Sequence, residues 1–167
     1  MIADEPVEVI DLDGRVLEIV TRAEMRRRNL RHRATYIVVR SGGGDVLAHR
    51  RAPWKDIWPD RWDVSFGGVC AVGEEWNAAA RRELCEEAGI TATLAERGPI
   101  VFDNETTHVV GRLYETTHDG PFTFPDGEVV AVEWVPFADL PAWVERHELC
   151  DDARGAVLPR LLEGARP

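Results

Sequence analysis

Residues 68–90 read GVCAVGEEWNAAARRELCEEAGI. From Glu75 to Ala88 this stretch holds no Gly, no Pro and no β-branched residue, and Gly89 stands where a left-handed C-terminal cap belongs. The composition predicts a helix over 75–88. On such a helix Glu83, Glu86 and Glu87 fall at i, i+3 and i+4, so three carboxylates share one side. Like charges at this spacing cost about 0.2–0.5 kcal/mol per pair at an exposed position. Arg81 and Arg82 are close, and Arg82 reaches Glu86 at i+4, but two arginines do not account for three glutamates on one stripe. A solvated acidic face is the plain reading. A hard divalent cation such as Mg²⁺, which takes carboxylate oxygens and shares them with phosphates, is the chemical one. Ala79 and Ala80 keep the same face shallow, so backbone can approach it, and Gly67-Gly68 is the backbone suited to do so. Glu74 stands just before the helix, where the dipole favours negative charge.

Outward from the helix the chain reads mainly as strands. Residues 7–11 and 15–20 form a hairpin around Asp13-Gly14, and 21–29 a short helix capped by Thr21. Residues 33–40 and 46–50 flank the turn SGGGD, a second hairpin. Residues 52–61 carry two prolines and read as a loop; WDVSF, 62–66, reads as a strand ending at Gly67-Gly68. Further strands are expected at 91–102, 106–116 and 128–135. Two final helices are expected at 137–147 and 151–164, their limits set by Pro141 and Pro159. The class is α+β, a mixed or antiparallel sheet between helices. The 167 residues suit one domain, 1–167, with residues 1–30 as an N-terminal hairpin-and-helix extension.

A net charge of −10 argues against a nucleic acid polymer or an anionic membrane as partner. No apolar run approaches the roughly 20 residues of a membrane span. The acidic N-terminus lacks the apolar core of a secretory signal. Cys70, Cys85 and Cys150 form no C-x-x-C pair, which points to a reducing, cytoplasmic setting. Residues 15–51 hold ten arginines against Glu18, Glu24 and Asp45, either a solvated face or a cationic wall for a phosphorylated ligand. Arg50, Arg51 and Lys55 are the candidates to hold a distal phosphate or second moiety. Trp54, Trp58 and Trp62 are candidates to stack on a base or to pack. His108 and His118 could touch substrate, and His147 with Cys150 is at most a weak two-ligand pair.

Residues 68–90 also fit the pattern G-x5-E-x7-R-E-U-x-E-E-x-G-U, with U bulky and aliphatic, at every specified position: Gly68, Glu74, Arg82, Glu83, Leu84, Glu86, Glu87, Gly89 and Ile90. A chance match is on the order of 10⁻⁸ or lower per starting position. The stretch resembles the Nudix box, and the chain resembles a Nudix hydrolase. The resemblance implies an α/β/α sandwich with a loop–helix–loop site. It implies hydrolysis of a nucleoside diphosphate linked to another moiety, with Mg²⁺ or Mn²⁺. By the same resemblance Glu83, Glu86 and Glu87 bind metal and Arg82 holds a glutamate in place. Glu74 orients or ligates, and a carbonyl near Gly67 is a further ligand. The base that takes the proton of water is Glu83 or a loop carboxylate, Asp126 or, preferred, Glu128. NLRHRATYIVV (29–39) and HRRAPWKDIWPDRWDVSFGG (49–68) are similar to the Nudix group of isopentenyl-diphosphate isomerase. That enzyme's C-G-H run is Phe66-Gly67-Gly68 here; only His32 matches one of its metal-binding histidines. Hydrolysis is therefore expected ahead of isomerisation or of a non-catalytic binding module. The expected partner is a small phosphorylated substrate whose identity stays open. A homodimer is compatible with the sequence, which carries no marker for one.

Overall fold

The computed structural model describes residues 2–163. Along the chain run β1 (Pro6–Ile10), β2 (Val16–Thr21), α1 (Arg22–Arg27), β3 (Arg31–Arg40), β4 (Val46–Arg51), β5 (Trp62–Asp63), α2 (Trp76–Ala88), β6 (Ala95–Asp103), β7 (His108–Thr117), β8 (Val129–Val135), α3 (Leu140–Glu145) and α4 (Leu158–Glu163). Thr21 caps α1 as expected, its hydroxyl accepting the Glu24 N–H at 3.2 Å.

β3 is the hub. It runs parallel to β7, from Arg31 opposite His108 to Arg40 opposite Thr117, and β7 pairs antiparallel with β6. The sheet is therefore mixed. The other edge of β3 meets β1 at Val9–His32 and β4 at Arg40–Val46. Between those two points the segment entering α2 takes the edge. Ile37 and Phe66 exchange N–H···O bonds of 2.7 and 2.9 Å, Thr35 N–H donates to Gly68 O at 2.9 Å, and Cys70 N–H to Arg33 O at 3.0 Å. β4 carries β8 and β5 on the remaining arm.

The side chains of β3 alternate between two cores, as a strand of period two requires. Ala34, Tyr36 and Val38 pack with Leu140, Trp143, Val157 and Leu161 of the C-terminal helices. Ile37 and Val39 pack with Leu47, Phe66 and, from α2, Ala80, Leu84 and Ala88. Helices thus cover both faces, an α/β/α arrangement. Gly89 ends α2 at φ 68°, and its N–H returns to Cys85 O at 3.0 Å.

Two expectations change. WDVSF gives only a two-residue strand, because Asp63 Oδ1 takes the Ser65 N–H at 2.9 Å that a ladder would have used. The last helix is split into a wide π turn, Ala153–Val157, and α4, since Pro159 has no N–H to continue the regular bonding. The last residue of that expected helix, Gly164, lies outside the described residues.

Candidate active site

α2 turns Glu83, Glu86 and Glu87 toward one cleft of about 890 Å³. One guanidinium organises the acids. Arg82 Nε and Nη2 donate to the two oxygens of Glu74 at 2.9 Å each, and Nη1 donates to Glu83 at 2.7 Å and Glu86 at 3.0 Å. A planar fork suits such multiple carboxylate contacts, and an ammonium would not span them. These bonds hold Glu74 below the usual carboxylate range. Glu83 and Glu87 are buried, and burial pushes both the other way, Glu87 strongly, with Glu83 next to it adding to the rise. The one hydrogen bond given to Glu87 by the described residues is the Gly67 N–H at 2.8 Å.

The two glycines let this happen. Gly67 sits at φ 139°, and a Cβ there would lie 2.0 Å from Thr35 O. A Cβ on Gly68 would lie 2.6 Å from the Glu83 carboxylate. Only bare backbone can lie between β3 and the acidic face of α2.

The loop before β8 closes the cleft from the opposite side. Glu128 pairs with Lys55, and Asp126 Oδ1 accepts the Glu128 N–H at 2.9 Å. Ligand oxygens of Glu87, Asp126 and Glu128 lie within 4.8 Å of one another. Trp54 from the 52–61 loop and Arg22 and Arg26 from α1 complete the wall. The donor set is all hard oxygen, and two buried carboxylates are raised by burial, a cost that a doubly charged cation would offset. Mg²⁺ or Mn²⁺ fits these residues.

Glu83, Glu86, Glu87, Gly67, Arg82, Lys55 and Glu128 are thus brought together. Glu74, expected also as a ligand, is outside the cleft wall, and both its oxygens are taken, by Arg82 and by the Ala71 N–H. Arg50 does not join the site either. It alternates with Arg51 along β4, faces away and is held by Asp60 at 2.6 Å. Arg51 faces inward to a smaller cavity behind the cleft, where Trp58 and His32 also lie. Trp62 packs edge-on against Trp143, 5.4 Å between ring centres. His108 binds Asp103 at 3.0 Å, and His118 accepts the Gly120 N–H. His147 stacks on Trp143, while Cys150 is buried near Asp63 and Asp152, so the two are not a ligand pair. All three cysteines are free, and burial pushes the Cys70 thiol up to about 12. The arginine-rich stretch 15–51 suggested a cationic wall without singling out Arg22 and Arg26, which reach the cleft through the packing of α1.

The family model described as the NUDIX domain matches residues 30–154. An uncharacterised Nudix hydrolase of Yersinia pestis is 40% identical over 139 residues, 83% of this chain and 76% of that protein. The uncharacterised Nudix hydrolase YfcD of Escherichia coli K12 is 37% identical over 83% of this chain and 77% of its own length. Among solved structures, DR0079 from Deinococcus radiodurans superposes with a TM-score of 0.80, covering 97% of this chain and 100% of that one at 22% identity. The NUDIX domain of Shewanella oneidensis NrtR, in complex with ADP ribose, gives 0.65 at 15% identity, covering 88% and 100%. This chain belongs to the Nudix hydrolase family, enzymes that hydrolyse pyrophosphate bonds in small phosphorylated compounds and generally use divalent metals. Among the described residues no helix is long and apolar enough to cross a membrane.

Proposed function

We propose that this protein hydrolyses the diphosphate bond of a nucleoside diphosphate linked to another moiety, or of a related small phosphorylated metabolite, with Mg²⁺ or Mn²⁺. The observation that carries the reading is Arg82, which gathers Glu74, Glu83 and Glu86 at a cleft where buried Glu87 faces Asp126 and Glu128. Glu83, Glu86, Glu87 and the Gly67 carbonyl would hold the metal, and Glu74 acts through Arg82 as a positioning residue. When bound, the metal neutralises phosphate oxygens and lowers the pKa of a coordinated water. Glu128 takes the proton of the attacking water on its oxygen remote from Lys55; Glu83 is the second group able to serve as base. The water oxygen bonds to one phosphorus, and the bridging P–O bond breaks toward the other phosphate. Lys55, in the cleft wall, holds the charge of the departing half. Trp54, exposed on the cleft rim, offers a face to a base. The free cysteines fit a reducing cytoplasm.

Phe66, where the isomerase has its cysteine, is buried and stacked on His49 with 4.4 Å between ring centres. This leaves isomerisation without its thiol. The test is a panel of nucleoside diphosphate compounds with Mg²⁺ or Mn²⁺, scored for phosphate-containing products and, with isopentenyl diphosphate, for allylic product. Glu86→Gln and Glu87→Gln should each lower turnover by a factor of about 100 or more while the thermal midpoint holds. Full activity in either variant would overturn the assignment.

A further inference from the structure

Behind the cleft lies a second cavity of about 70 Å³, whose walls include Lys55, Gly67 and Gly68, residues that also line the cleft. Its polar lining is unbalanced. Seven buried side-chain N or O atoms of the described residues lack a hydrogen-bond partner, and four of them belong to residues lining this one cavity. They are Arg22 Nε, Thr35 Oγ1, Arg51 Nε and Trp58 Nε1. Thr35 and Trp58 are 1% and 7% exposed, so bulk solvent does not reach them. All four atoms carry a hydrogen to donate. The site is short of acceptors.

The acids in the same lining do not fill that need. Asp56 is bound to Arg26 at 3.1 Å. Asp63 Oδ1 takes the Ser65 N–H and O–H, and Asp152 takes the Tyr36 O–H at 3.1 Å and the Ala153 N–H at 2.8 Å. Burial, with Asp63 close by, pushes Asp152 up to about 7, so its carboxyl is only partly charged near neutrality. Lys55 is matched by Glu128 and Arg26 by Asp56. His32 is buried and held neutral, burial lowering it to about 3. Arg22 meets Glu5 only at 3.7 Å near the surface, and the Arg51 Nη2 donates to the Ile57 carbonyl; Asp63, Glu87 and Asp152 lie near enough to favour its charge, but none of them is given a hydrogen bond from it. A single water occupies about 10–15 Å³ on this measure, so the cavity has room for a group of several heavy atoms.

We propose that this inner cavity is a receptor for a second oxyanion of the ligand, a phosphoryl or carboxylate group, held by Arg22, Thr35, Arg51 and Trp58. That the oxyanion belongs to the hydrolysed molecule, on the moiety beyond the scissile diphosphate, rests on the function proposed above. The receptor itself needs no metal. It makes the preferred substrate one with an anionic end group set apart from the bond that is cut.

The experiment uses the full ¹⁵N-labelled chain in EDTA. The Trp58 indole N–H signal is assigned by its loss in Trp58→Phe, and inorganic phosphate or acetate is titrated in. The Trp58 signal should move saturably with at least one of the two. Movement with phosphate alone assigns a phosphoryl group, and movement with acetate alone a carboxylate. Thr35→Val keeps the shape and the backbone bonds and removes the hydroxyl; it should weaken that binding about tenfold and leave the thermal midpoint unchanged or higher. A Trp58 signal that stays still with both anions, or that responds equally in Thr35→Val, overturns the receptor. With Mg²⁺ present, diphosphates carrying a terminal phosphomonoester or carboxylate should exceed their unsubstituted counterparts in kcat/KM, and Thr35→Val should shrink the difference. An active enzyme with a silent Trp58 defeats the receptor alone. A responsive Trp58 in a chain that cleaves no diphosphate defeats the hydrolytic reading alone.

Discussion

At the scale of single residues, the site is a problem of charge placed in a dry environment. Glu87 and Asp152 are both buried acids raised by desolvation, yet they serve different ends. Glu87 faces the cleft. Asp152 faces the inner cavity through Tyr36. Asp152 has a stability consequence of definite sign. Its folded pKa, about 7, lies above the ordinary 3.8, so between those values the folded state keeps a proton that the unfolded state has released. Stability from this group is therefore undiminished below about pH 4 and falls as pH rises toward 7. Asp152→Asn removes the ionisation but keeps an acceptor for Tyr36. Urea unfolding at about pH 5 and about pH 7 should show wild type losing ~2 kcal/mol more than the variant over that interval. Equal losses would mean that Asp152 ionises normally.

At the scale of elements, α2 and the 66–70 segment form one working part. Gly68→Ala would push its methyl into the Glu83 carboxylate, which must move by several tenths of an ångström. We expect kcat to fall about 100-fold with the urea midpoint little changed, since a small misplacement of a catalytic group is costly. Gly89→Ala should do the reverse. Its φ of 68° and the Thr123 side chain at 1.8 Å from the new Cβ predict a loss of about 1–2 kcal/mol or more in urea, with activity per folded molecule retained. The box was legible in the sequence because its parts are neighbours on one helix, where spacing fixes direction. β3 was legible too, since TYIVV is apolar on both faces and lies between two cores. The loop carboxylates Asp126 and Glu128 could be named only as a pair in a turn. Arg22 and Arg26 were legible only as members of the arginine-rich stretch, and the inner cavity was not legible, because Thr35, Trp58 and Asp152 meet through long-range strand pairing and leave no trace in local spacing. Arg50 was misplaced for a simpler reason: in a strand, adjacent arginines point to opposite sides.

At the scale of the whole molecule, the N-terminal segment reaches the candidate cleft. The NUDIX match begins at residue 30, yet Arg22 and Arg26 of α1 stand in the cleft. They are held there by a small cluster of Val7, Met25 and Val69, and Val69 belongs to the segment lying on β3. Met25 is 1% exposed. Met25→Ala should cost about 2–3 kcal/mol in urea, the low end for a buried Met in so small a cluster. It should also raise KM more than it lowers kcat, because it loosens the arginine wall and leaves α2 alone. A variant with unchanged KM would separate the extension from substrate binding.

The parallel register of β3 with β7 has a consequence for the order of events in synthesis. The ribosome releases β3 and the acidic helix well before His108–Thr117 and the loop bearing Glu128. Until those arrive, β3 lacks its longest pairing, a distant contact of the slow-forming kind. A nascent chain therefore exposes its glutamates to cations before the opposite wall exists, and the capacity to cut a substrate is acquired only with the final third of translation.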